Sequence, residues 1–409
     1  MRPTSLDDYL EEFIAADGTP TCRDEATCGG VTVPRYTNEF WTARQRQASS
    51  IHEVSYRACF KPQLPRFFVE LLTDPGDRVY DPFSGRGTTA VEAALLGRRV
   101  VANDANPLSG ILARPRLSPP DLDEVRARLE EIPRGTGLCA GTDLSMFYHP
   151  ETEGELVALR AYLIGRGDEE DDIDRWIRMV ATTRLTGHSK GFFSVYTLPP
   201  NQAVSPESQR RINKKRGQVP EYRDTHALIL RKSRRLLGRM SEDDRAALRR
   251  AGEDALFFTG DAASTPRIPS ESVALTVTSP PFLDIVQYAR DNWLRCWFNG
   301  LDAAAIGEGI TMARTVEEWT ETMGRVFAEL FRVTRPGGRV AFEVGEVRNG
   351  SVSLDEHVVP LGVTAGFLPE GVMVNTQVFT KTSNIWGIRN NRGGTNTNRI
   401  VLFRKPGHC

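Results

Sequence analysis

A glycine turn between two apolar segments, with an acidic residue about twenty positions beyond it, restricts this chain more than any other feature. Asp77-Arg78-Val79-Tyr80 reads as a short strand. It runs into Asp81-Pro82-Phe83-Ser84-Gly85-Arg86-Gly87-Thr88-Thr89, and the residues from Ala90 to Leu96 continue as an alanine- and leucine-rich helix stopped by Gly97. Glycines between a strand and a helix let a ligand approach the backbone closely. A second strand, Arg99-Val100-Val101-Ala102-Asn103, ends at Asp104. From that position a carboxylate reaches ribose hydroxyls in nucleotide-binding βαβ units.

A second segment, Thr278-Ser279-Pro280-Pro281-Phe282, follows the apolar run Val273–Val277 and so marks the end of a buried strand. Two prolines hold the backbone extended and remove two N–H donors. The carbonyls of Ser279 and Pro280 are left free to face a cleft, with the Phe282 ring alongside. That arrangement suits a planar ring held by its exocyclic amine.

Together the two segments resemble the amino-group DNA methyltransferases of restriction–modification systems. The serine form of the Pro-Pro segment is most similar to the cytosine-N4 branch. Lys61-Pro62-Gln63-Leu64-Pro65, Gly260-Asp261-Ala262 and Arg335-Pro336-Gly337-Gly338-Arg339-Val340 resemble further family segments in the same order. The likeness covers roughly residues 52–109 and 256–404.

The resemblance implies a doubly wound, seven-stranded α/β fold, Rossmann-like, with an antiparallel last hairpin and an inserted, mainly helical recognition lobe. The expected division is an N-terminal arm at 1–51, a cofactor half at 52–109, a basic DNA-binding lobe at 110–255 and a catalytic half at 256–409. It also implies S-adenosyl-L-methionine as cofactor. Phe83, Gly85 and Gly87 would line its methionine part, with Pro82, Ser84 and Thr88 completing the turn. Asp81 would neighbour the ammonium, Asp104 would take the ribose hydroxyls, and Asp261 with Ala262 would meet the adenine. Ser279, Pro280, Pro281 and Phe282 form the expected catalytic set, with Phe282 stacking on an extruded base.

The arm carries a helix candidate from Leu6 to Ala16 and a Gly- and Thr-rich loop around Cys22–Val33. In the long middle section, helical periodicity covers Leu122–Ile132, Glu155–Leu163, Asp174–Leu185, Thr225–Leu236 and Ser241–Ala251. Between Arg175 and Arg250 about 18 Lys and Arg stand against about 6 Asp and Glu, although the whole chain has a formal charge of −1. The cations Arg210, Arg211, Lys214, Lys215 and Arg216, preceded by Asn201 and Gln202, form the expected DNA contact. Cations neutralise phosphates, while arginine and amides can read base edges. A tail loop holding Asn384, Asn390, Asn391, Asn396 and Asn398 has its family counterpart beside the target-base pocket, and ordinary loop chemistry produces the same composition.

Several classes are disfavoured. None of the six cysteines follows a proline, as the nucleophile of cytosine-C5 methyltransferases does, and their scattered spacing reads as reduced thiols rather than a metal site. None of the seven lysines has an acidic residue two positions earlier, so the D/E-x-K nuclease signature is missing. No apolar run reaches the roughly 20 residues of a membrane span. The expectation is therefore a cytoplasmic enzyme, monomeric or homodimeric, acting on double-stranded DNA either beside a separate cognate restriction endonuclease or as an orphan modification enzyme. Adenine-N6 and RNA-base methylation are the competing readings.

Overall fold

Among the described residues, nine strands form one mixed sheet and eleven are present in all. The computed structural model describes residues 5–42, 48–56, 59–198, 203–281, 288–310, 313, 315–347, 352–376 and 397–407. The strands are β1 (Cys22–Cys28), β2 (Val31–Asn38), β3 (Arg78–Asp81), β4 (Arg99–Asp104), β5 (Leu256–Thr259), β6 (Val273–Thr278), β7 (Thr334–Val344), β8 (Glu346–Val347), β9 (Val352–Ser353), β10 (Leu368–Thr376) and β11 (Thr397–Arg404). Strands β8 and β9 pair only with each other. The rest follow the order β1-β2-β10-β11-β7-β6-β3-β4-β5. Strands β3 to β7 are mutually parallel, whereas β11 runs antiparallel to both neighbours.

Seven of these strands make up the expected doubly wound sheet with its antiparallel last hairpin. The arm corrects the sequence reading. Its segment around Cys22–Val33 is no loop but most of a hairpin that extends the sheet to nine strands, β2 pairing in parallel with β10. The physical reason is the Gly29-Gly30 pair. Both glycines have positive φ, 55° and 85°, and form a two-residue connection between Cys28 and Val31. Such turns match the right-handed twist of flanking strands. Tyr36 on β2 is fully buried, which ties this hairpin to the core.

The helices are α1 (Leu6–Glu11), α2 (Gln63–Leu72), α3 (Thr88–Leu95), α4 (Leu108–Ala113), α5 (Leu122–Glu131), α6 (Pro150–Arg166), α7 (Asp172–Thr182), α8 (Pro206–Arg216), α9 (Thr225–Leu237), α10 (Glu242–Glu253), α11 (Tyr288–Asn299), α12 (Ala303–Gly309), α13 (Val316–Val333) and α14 (Asp355–Ala365). Seven of them, α4 to α10, lie in the connection from β4 to β5. The Ser241 start is a full capping box: Asp244 N–H donates to Ser241 Oγ at 3.1 Å, and Ser241 N–H to Asp244 Oδ2 at 3.3 Å. Helix α8 was not legible as a helix, because Ile212 is its only large apolar residue. Its ends define it instead: Ser205 Oγ caps Ser208 N–H, Gly217 closes it at φ 57°, and three cations sit in the last turn, where they favour the dipole.

Side chains alternate across the sheet as strand geometry requires. Val79, Val100, Ala102, Leu275 and Val277 face one side, packed with α2, α3 and the helices from the β4–β5 connection through Val125, Leu129, Trp176, Val180 and Leu236. Tyr80, Val101, Val340 and Phe342 face the other side, where α13 and α14 pack through Phe327, Leu330 and Val358. Both faces of the parallel strands are covered. Their C-terminal ends remain as the place for chemistry.

Candidate active site

Four polar groups meet at the C-terminal ends of adjacent parallel strands. Asp81 ends β3, Asp104 ends β4, Ser279 follows β6, and Glu343 is next to last on β7. The cofactor-type and catalytic-type segments are joined directly. Thr278 donates its hydroxyl to Asp81 Oδ1 at 2.6 Å, and Thr89 donates to the Val277 carbonyl at 3.1 Å. Thr88 and Thr89 do not cap α3; Gly87 holds the N-cap position, and Thr88 Oγ1 accepts from Arg86 Nε at 3.2 Å.

The turn itself is fixed from both sides. Phe83 N–H donates to Asp81 Oδ1 at 3.1 Å, and Gly85 N–H to Asp104 Oδ2 at 2.7 Å. Asp104 Oδ1 accepts from Asn106 N–H at 2.9 Å. Asn103 donates to the Pro82 carbonyl at 3.3 Å and the Gly260 carbonyl at 3.0 Å, stitching the turn to the Asp261–Ala262 segment. Gly87 cannot carry a side chain, since its φ is 73° and a Cβ would stand 2.4 Å from Ala113 Cβ. Above Gly85 lie Cys59 Sγ and the Tyr56 ring, 3.5 and 3.7 Å from where a Cβ would sit. Tyr56 is held there by Asn106 Nδ2, which donates to its hydroxyl oxygen at 2.7 Å.

Burial sets the electrostatics. The Asp81 carboxyl is pushed up to about 7, mainly by burial, and the nearby Asp104 raises it further; the Thr278 hydroxyl and Phe83 N–H act against the shift. Asp104 is pushed up to about 6 by burial, opposed by the Asn106 and Gly85 amides. Asp81 Oδ2 and Ser84 Oγ are buried without a hydrogen-bond partner. An unpartnered acceptor beside a glycine turn is a place for a cationic group from outside. Asp261 is exposed and accepts from Ala263 N–H at 2.9 Å, while Ala262 is buried.

On the catalytic side, Ser279 is half-buried, Pro280 buried and Pro281 exposed. Trp319 on α13 pins this turn, its Nε1–H donating to the Pro281 carbonyl at 3.0 Å. Glu343 is buried and pushed up to about 7; it accepts from Asn398 Nδ2 and from the Ser279 hydroxyl. A serine hydroxyl that donates to a carboxylate presents only lone pairs to a ligand.

Phe282, Asn201 and Gln202 lie outside the described residues, as do Asn384, Asn390, Asn391 and Asn396. Arg210, Arg211, Lys214, Lys215 and Arg216 all lie exposed on or at the end of α8. Arg210 pairs with Asp143 at 2.7 Å, and the Arg216 guanidinium lies 3.8 Å from the Tyr196 ring centre. Sequence reasoning missed Thr278, Asn103, Tyr56, Cys59, Trp319 and Glu343. Thr278 could have been flagged as a hydroxyl at the end of an otherwise apolar strand. The others carry no local signal.

Comparison with known proteins adds the following. The family described as DNA methylase matches residues 28–151, a stretch that includes the glycine turn and Asp104 and stops before Ser279. The Type II methyltransferase M.MvaI of Kocuria varians is 28% identical over 126 residues, 30% of this chain and 25% of that protein. The Type II methyltransferase M.MjaII of Methanocaldococcus jannaschii is 30% identical over 89 residues, 22% of this chain and 16% of that protein. The chain thus spans a quarter or less of the length of these curated relatives. The structure of TTHA0409 from Thermus thermophilus complexed with S-adenosyl-L-methionine is 25% identical, covering 37% of this chain and 55% of that one at a TM-score of 0.22.

Proposed function

We propose that this chain, which is similar over residues 28–151 to a DNA methylase family and shares segments with two Type II methyltransferases, methylates the exocyclic N4 amine of a cytosine in double-stranded DNA. Its cofactor is S-adenosyl-L-methionine, which supplies, when bound, an electrophilic methyl group on a sulfonium. The pocket suits that molecule. Asp81 Oδ2 is a buried, unpartnered acceptor for the ammonium, Asp104 can accept from ribose hydroxyls, and Asp261 with Ala262 suits the adenine ring.

The chain's own task is to present the amine. An exocyclic amine on a pyrimidine is a weak nucleophile, because its lone pair is delocalised into the ring. The Pro280 carbonyl and the Ser279 oxygen would accept its two N–H bonds and favour a pyramidal nitrogen. Positioning and electrostatics then carry the rate, with no covalent bond to the enzyme. The base must leave the duplex stack to reach this turn. The observation that carries this reading is the Thr278–Asp81 hydrogen bond, which ties the amine-accepting turn to the donor pocket at the C-terminal ends of two adjacent interior strands.

Serine at 279 favours cytosine, since adenine-N6 enzymes usually have Asp or Asn there. Nucleoside mass analysis of DNA treated with the protein and donor tests this. N4-methylcytosine is expected; N6-methyladenine alone would overturn the base assignment, and methylated RNA with unmodified DNA would overturn the substrate.

A further inference from the structure

Beside the cofactor turn lies a group of cations with too few anions. Arg184, just beyond α7, and Lys232, on α9, are each only 8% exposed. Arg184 Nη2 donates to Ser55 Oγ at 3.2 Å, and its guanidinium lies 4.1 Å from the Phe192 ring centre. Its Nε is buried without a partner. Lys232 Nζ is 3.7 Å from Glu53 Oε2, and Arg235, further along α9, pairs with the same oxygen. Lys232 and Arg235 therefore share one carboxylate, with Arg184 close enough to feel the same charges, so three cations stand against one anion among the described residues.

Burying a cation is costly unless an anion compensates it, and here compensation is incomplete. Burial, with repulsion from Arg184, pushes the Lys232 amine down to about 7. Burial, with repulsion from Arg235 and Arg295, pushes the Arg184 guanidinium down to about 10. The group is not remote. Ser55, held by Arg184, is followed by Tyr56, the ring that lies over Gly85. Arg295, 7% exposed, lies close to that ring, 5.8 Å from its centre. The side chain of Arg235 is 70% exposed, so the group opens to solvent along α9.

We propose that Arg184, Lys232 and Arg235 form a binding site for a DNA backbone phosphate, one that flanks the nucleotide whose base enters the Ser279 cleft. The inference rests on the DNA-methylating reading. A phosphodiester carries one negative charge and acceptor oxygens suited to the unpartnered Arg184 Nε and to the lysine amine. Its arrival would supply the missing anion and fix the strand close to the donor pocket. This site differs from the exposed cations of α8: it is walled, and its ligand must come to it.

The test uses the full chain and a fluorescent mixed-sequence duplex, titrated at several salt concentrations. Lys232→Met keeps the length and apolar stem of the side chain and removes the penalised charge; Arg235→Gln acts at an exposed position. Each is expected to weaken duplex binding about tenfold and to lower the slope of log K against log salt by roughly 0.9, the value for one phosphate left unneutralised. Affinity for S-adenosyl-L-methionine should be unchanged, and Lys232→Met should melt at a higher temperature than wild type. Arg325→Gln, exposed on α13 across the sheet, removes the same charge and serves as control. If both variants keep the slope and affinity of that control, the phosphate site is overturned while DNA methylation stands. A wild-type protein that binds no duplex overturns the functional reading, and this site with it.

Discussion

Thr278 and Asp81, 197 positions apart in the chain, share a buried 2.6 Å hydrogen bond between the two segments that define this protein. The threonine hydroxyl opposes the upward push of burial on the Asp81 carboxyl. It therefore serves the pocket's charge as well as its shape.

Thr278→Val keeps the volume and β-branching and deletes the donor. Stability should fall by about 1–3 kcal/mol, the range for stranding a buried polar partner. The midpoint below which donor affinity is lost should move to higher pH. Chemical denaturation and calorimetric titration across pH read the two effects separately.

The raised carboxyls make opposite demands on fold and ligand. Asp81 and Asp104 have folded pKa values of about 7 and 6, above the ordinary 3.8, because burial favours their neutral forms. Their contribution to stability is fully present below about pH 4 and is lost as pH rises through those values. The empty protein should consequently melt at a higher temperature at pH 5.5 than at pH 8. Donor binding needs the ionised forms, so it should weaken as pH falls from 8 to 5.5 and release protons near pH 6. Calorimetry in buffers of different ionisation enthalpy measures that release.

Ser279→Ala should lower turnover roughly a hundredfold or more, the effect of losing one positioned polar group, with donor affinity near wild type. Glu343→Gln should act in the same direction through the serine, because an amide can no longer hold that hydroxyl as a pure acceptor. It should also remove any pH dependence of turnover near 7 that this carboxyl imposes. Single-turnover rates alongside donor binding separate chemistry from cofactor loss.

Charge reversal at Lys214, Lys215 and Arg216 together should weaken duplex binding and flatten its salt dependence, by roughly 0.9 in slope for each phosphate no longer neutralised. Stability should fall modestly, by about 1–3 kcal/mol, because the reversal places anions at the negative end of the α8 dipole and removes the Arg216 contact with Tyr196. Anisotropy titrations and melting curves check both statements.

The sequence disclosed what depends on backbone chemistry. The glycine turn, the carboxylate after β4 and the paired prolines each impose a local geometry, and the buried strands announce themselves as continuous apolar runs. In the β4–β5 connection, α5, α7, α9 and α10 were legible to within a few residues from an apolar stripe facing the core, and the middle of α6 likewise, whereas the short α4 directly after Asn106-Pro107 was not. Helix α8 escaped because its caps define it rather than a stripe. Hairpin β1–β2 escaped although Gly29-Gly30 carried the signal, since its outer strand is charged and exposed along most of its length. Glu343 and Tyr56 belong to a different class: only the sheet register and the path of the chain over Gly85 bring them to the site.

The parallel seam between β2 and β10 has a consequence for how this protein is made. Residues 31–38 must wait for residues 368–376, and that late partner is itself attached to the rest of the sheet through β11, from residues 397–404. A nascent chain would carry an unmatched β2 edge until residues 368–376 had been made, and closing so large a loop costs entropy before any pairing offsets it. Folding should thus include a late step that locks these two distant segments at once, and deleting Thr397–Arg404 should release hairpin β1–β2 as well.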